Sequence, residues 1–72
     1  MDTCCPARIA RPIPYLGDDG RRRVIPCGPC LVEPLPGHRV SIIWGASGQR
    51  CTDLRSTDVL NARADGCLIL LR

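Results

Sequence analysis

Cys27 and Cys30, spaced Cys-Gly-Pro-Cys within the stretch IPCGPC, are the residues whose types and separation come nearest to a chemistry. Two thiols so placed form a redox couple when a helix begins at the motif, because the helix dipole and its free amides stabilise the thiolate. They also make half of a tetrahedral zinc site. Or they are small apolar side chains at a turn, since free cysteine is among the most buried residue types. The residues that follow, LVEPLPG, oppose the redox reading: Pro34 and Pro36 bar a helix of useful length after Cys30. The zinc reading lacks a second Cys-x-x-Cys. Cys4 and Cys5 adjoin and aim poorly at one ion, which leaves Cys51, Cys67 and His38 as further donors. The preferred reading makes Cys27 and Cys30 turn and edge residues, Cys51 and Cys67 core residues with Cys67 sharing a face with Ile69 and Leu71, and Cys4 and Cys5 exposed.

Other chemistry is thinner. Arg21, Arg22 and Arg23 follow the turn GDDG and could grip phosphates, but two aspartates precede them and no aromatic residue stands beside them. His38 is the only histidine; Ser41 or Cys30 could act with it only if the fold brought them together. GASG at 45–48 has the glycines of a phosphate loop without its Lys-Ser/Thr or its helix. Asp53 and Asp58 lie five apart across an element boundary, too loose a spacing to define a carboxylate pair. No catalytic set assembles, and the chain is expected not to be an enzyme.

The elements that must position these residues are short. In RVSIIW, Val40, Ile42 and Trp44 alternate with Ser41 and Ile43, the period of a half-buried strand. PGH at 36–38 is a turn before it, and GASGQ a hairpin loop leading to a partner strand, RCTDL. Residues 24–35 are apolar but are interrupted by Pro26, Pro29 and Pro34 and followed by Pro36, so they predict a kinked edge strand or two short ones. The period then changes: Ser56 or Thr57 can cap a helix over about 57–65, with Asp58 in its first turn and Gly66 after its last. Val59 pairs with Ala62, and Leu60 with Ala64, at helical spacing. CLILL at 67–71 predicts a final strand covered on both faces. Residues 1–23, with Pro6, Pro12 and Pro14, predict an extended arm lying on the body formed by 24–72. The expected fold is mainly β: three to five short strands, one short helix before the last, and an order of elements that resembles a small SH3-like curved sheet or barrel.

Composition narrows the function. Seventy-two residues make one domain near the lower size limit, with no Phe and only Trp44 and Tyr15 as aromatics. The net charge of +3 comes from ten arginines spread along the chain and calls for no nucleic acid. The start of the sequence lacks an apolar signal segment, so the protein is expected to be cytoplasmic with reduced thiols. These features point to a small interaction module, a protein-binding adaptor or inhibitor of the kind frequent among phage and mobile-element products, with no cofactor and an undetermined oligomeric state. Ile13, Tyr15, Arg21, Arg22 and Arg23 on the arm are its expected anchors. The alternative is a zinc-stabilised nucleic-acid binder using Cys27, Cys30 and the three arginines.

Overall fold

The structure, a computed structural model, describes residues 4–45 and 50–71. It is mainly β, with strands β1 (Cys5–Ile9), β2 (Ile13–Leu16), β3 (Arg22–Ile25), β4 (Gly28–Leu35), β5 (Arg39–Trp44), β6 (Arg50–Arg55), helix α1 (Ser56–Ala64) and β7 (Leu68–Leu70). Five strands form an antiparallel sheet in the order β6-β5-β4-β1-β7, and β2 and β3 form a separate hairpin. The two sheets do not join into a closed barrel.

The alternation read in RVSIIW orients the sheet. Ile42 and Trp44 face inward, opposite Val32 and Cys30 of β4, and β6 returns as expected with Leu54 opposite Val40. Ile9 and Ala7 of β1, Leu68 of β7, Ile13 and Ile25 of the hairpin, and Val59 and Ala62 of α1 complete the same apolar cluster. One face of the sheet is therefore covered by the hairpin and the helix together.

The expected arm does not exist as a separate unit, and the proposed boundary between 23 and 24 falls inside β3. Instead β1 is an interior strand between β4 and β7, which with the hairpin raises the strand number above the three to five expected. Proline tolerates this because of where the missing donors point. Leu71 N–H donates to the Pro6 carbonyl at 3.1 Å, so the Pro6 backbone faces β7 beyond its last paired residue, Leu70, and not β4. By the same alternation Pro29 faces β5 past its last partner, Trp44, and Pro34 faces β1 past its first residue, Cys5. In the hairpin, Gly17 N–H donates to the Arg21 carbonyl at 2.9 Å, so Pro14 turns its nitrogen to the free edge of β2. Every one of these prolines sits where a neighbouring strand has ended or is absent.

Residues 24–35 split into two strands, the second of which is interior rather than an edge. GDDG forms the β2–β3 turn, with Gly20 in the left-handed region at φ 78°. The helix starts differently from expectation. Arg55 is the N-cap, without a side-chain cap, and the Ser56 N–H is instead satisfied by the His38 carbonyl at 2.8 Å. Its C-terminus follows the Schellman pattern, with Gly66 N–H on the Arg63 carbonyl (3.1 Å), Cys67 N–H on that of Ala62 (2.8 Å), and Gly66 at φ 77°. Only Val59 and Ala62 of the helix are buried; Leu60 and Ala64 are exposed. The last strand is covered on one side alone: Leu68 is buried, while Ile69 and Leu71 are exposed. No helix among the described residues is long and apolar enough to cross a membrane.

These placements make β1 indispensable. Ile9→Ala, at a side chain 1% exposed, is expected to lower stability by about 2–5 kcal/mol in urea denaturation. Deleting residues 1–12 should leave a chain without cooperative unfolding, as monitored by circular dichroism.

Candidate functional site

A concave part of the surface lies between the hairpin and the sheet edge at β6. β5 and β6 bond through their even-numbered residues, a register continued by the bond from Ser56 N–H to the His38 carbonyl. The backbone groups of Cys51 and Asp53 consequently point to the outer edge of β6, which among the described residues pairs only with β5. Two clefts run along this edge, of ≈ 620 Å³ and ≈ 740 Å³, meeting at Tyr15, Leu16, Arg39 and Asp53. The first extends beneath α1 to Asp58 and Asn61; the second extends toward Trp44 and the hairpin turn. Both are open to solvent and mix apolar with charged walls.

Tyr15 fixes the hairpin wall. It is half-buried and meets Trp44 edge to face, with ring centroids 6.0 Å apart at 74°. Leu16, one residue on, points the opposite way in the strand and is 69% exposed at the cleft mouth. The hairpin turn is held by Asp19, whose carboxylate accepts the Arg21 N–H at 3.1 Å and the Arg23 guanidinium at 3.0 Å. The Arg21 backbone bond, then the Arg23 bond, hold the Asp19 carboxyl below its ordinary value of 3.8. Gly17 leaves room for this arrangement, since a Cβ there would lie 2.7 Å from Arg23 Nε.

The expected anchors separate. Ile13 is buried and belongs to the core. Arg22 and Arg23 project to opposite faces of β3, opposite Leu16 and Tyr15 respectively, and Arg21 lies in the turn, so the three arginines do not form one patch. Tyr15 and Arg23 reach the clefts, and the buried Ile13 contributes to the wall of the first. Leu16, Arg39 and Asp53, which also line both, were not among the anticipated site residues.

The cysteines diverge as well. No helix follows Cys30: it lies in β4, buried, and burial pushes its thiol above the ordinary 9.0. Cys27 is exposed before β4, its Sγ donating to the Ala10 carbonyl at 3.5 Å. Cys51 is exposed rather than core, because it takes the outward position opposite Ile43. Cys67 is half-buried, and the residues expected to share its core face, Ile69 and Leu71, are exposed. Cys4 and Cys5 are half-buried; Cys4 Sγ donates to Glu33 at 3.5 Å. Among the described residues no three His, Cys, Asp or Glu side chains gather in a way that could hold a metal ion. His38 is exposed in its turn at φ 59°, whereas Ser41 is buried.

No family model matches the chain, and comparison with curated proteins and solved structures finds no match either.

Two measurements check this geometry. Under native conditions a thiol reagent should modify Cys27 and Cys51 rapidly and Cys30 far more slowly. In an NMR pH titration Asp19 should titrate below 3.8. Its contribution to stability is then complete above that value and is lost as pH falls through the lower folded-state value, and Asp19→Asn should remove that part of the acid dependence.

Proposed function

We propose that the protein is a small interaction module, a protein-binding adaptor or inhibitor, and that its architecture is of the SH3-like kind. The order of elements supports the architecture: a hairpin inserted between the first two sheet strands, a β4-β5-β6 meander, and a short helix before a last strand that returns to β1. The observation that carries the function is the outer edge of β6 lying in a cleft beside Tyr15 and Leu16. An extended segment of a partner adds to such an edge through main-chain bonds, here at Cys51 and Asp53, while side-chain pockets on alternate residues give selectivity. Tyr15, held by Trp44, supplies a rigid apolar wall, and the exposed Leu16 supplies an anchor that gains by being covered.

The test is capture of partners from the native host with wild-type protein and with Leu16→Asp, which alters no core side chain. A specific partner bound by the wild type should bind the variant about tenfold more weakly or worse. In the complex the Cys51 and Asp53 amides should gain protection from hydrogen exchange. Equal binding by both proteins, with those amides unprotected, would remove the cleft from the interface. Zinc near one atom per chain in the same preparation, together with binding to nucleic acid, would support the zinc-dependent alternative instead.

A further inference from the structure

The cross-strand rows that end on β6 differ in charge, and a strand added to that edge must match them. Arg39 and Arg55 stand directly opposite each other at the end nearest α1, and both are exposed. Because β5 and β6 bond through even-numbered residues, this is a non-hydrogen-bonded pair, the spacing at which side chains come closest. Like charges so placed repel. Neither arginine makes an ion pair among the described residues, where both ion pairs belong to Asp19; Asp58, three residues after Arg55, is not within ion-pair distance of either. Two residues back along β6 the sign reverses. Asp53, also exposed, lies opposite Ser41, and Glu33 of β4 continues that row. Two residues further back, Cys51 ends a row of Ile43, Leu31 and Pro6 that carries no charge. Cation, anion and an uncharged apolar row thus follow one another along one face of β6.

Between Arg55 and Asp53 the strand turns Leu54 inward, to the first cleft, which Arg39, Asp53 and Arg55 also line. Its far wall carries Leu16 of the hairpin, with Asp58 and Asp65 on the helix side. Those two acids disfavour an acidic side chain turned inward, and a slip of one residue would turn an outward acid inward. Resting on the proposal that a partner strand adds to β6, we propose that the partner segment reads acid, apolar, base, any residue, apolar, from its N- to its C-terminus. Every strand pair of this sheet is antiparallel, the more stable arrangement, and the added strand follows it. The segment then sets its acid against Arg55 beside Arg39, its first apolar residue over Leu54, its base against Asp53 and its last residue beside Cys51. The acid relieves the repulsion between the two arginines, which a neutral side chain leaves in place. The opposite charge order sets like charges together at both positions.

Fluorescence anisotropy with two labelled peptides tests the proposal: Glu-Leu-Arg-Thr-Val and its charge-swapped form Arg-Leu-Glu-Thr-Val, each flanked by serines. The full chain should bind the first roughly tenfold more tightly than the second. The double variant Asp53→Arg with Arg55→Asp changes two exposed side chains. Once circular dichroism confirms that it is folded, it should favour the second peptide. Equal binding of the two peptides, no binding of either at millimolar concentration, or a preference that the double variant fails to invert would each overturn the assignment. β6 itself reads Asp53-Leu54-Arg55, an order that fits its own edge, so sedimentation accompanies the titration. Dimers that the first peptide does not dissociate would give the edge to a second copy and overturn the assignment as well. A partner captured from the host that protects the Cys51 and Asp53 amides, yet binds wild type and double variant equally, would overturn this charge order while leaving the proposed function standing. A captured partner that leaves those amides unprotected would remove both.

Discussion

One apolar layer, sealed between a single sheet face and two unrelated lids, is the constraint on which the molecule depends. Its largest fully buried side chains, Ile9, Ile25 and Ile42, come one each from β1, β3 and β5. The first strand, the hairpin and the meander therefore belong to one cluster, and none has a core of its own. With no Phe in the chain, branched aliphatic residues must fill that space. Each buried isoleucine contributes about 1.5–3 kcal/mol, against a total of about 5–15 kcal/mol for a domain, so a small core leaves no element dispensable.

The same constraint explains what the sequence disclosed and what it hid. Strands β5 and β6, the turn at 36–38 before β5 and the helix were legible because each follows from local evidence, namely alternation in RVSIIW, the Pro-Gly turn and a change of period after Arg55, while most of the expected loop GASGQ, at 46–49, lies outside the described residues. The first 23 residues were misjudged because proline was weighed by its presence instead of by the direction of its missing donor. Pro6, Pro29 and Pro34 occupy interior strands whose neighbours are staggered, so each proline nitrogen faces past a strand end. Stagger is a property of pairing between distant segments, and nothing local encodes it.

The site was legible to a similar degree. Tyr15 and Arg23 stand out in the sequence by type, aromatic and guanidinium, and the structure places both at the lining of a cleft. Grouping Arg21, Arg22 and Arg23 as one patch failed because successive strand residues point to opposite faces. Leu16 and Asp53, more than thirty residues apart in sequence, meet only where the hairpin comes against the sheet edge, which nothing local encodes. The prolines after Cys30 were read correctly in barring a helix, but Cys30 itself, expected at a turn or edge, lies buried in the interior strand β4, where burial raises its thiol.

Sealing one face has a geometric corollary. A flat layer covered on one side must still end at two edges, and the two ends of this sheet are treated differently. β7 exposes the backbone of only Leu68 and Leu70, and its three-residue length is itself a defence against promiscuous pairing. β6 is twice as long and carries Arg50, Asp53 and Arg55, charges that discourage indiscriminate strand addition. The hairpin then stands beside that guarded edge and presents Tyr15 and Leu16, so a strand can dock there only if its own side chains match an aromatic wall and a mixed set of charges. On the proposed function, selectivity would come from the lid that completes the core, so the hairpin that seals the apolar layer would also be the element that recognises a partner.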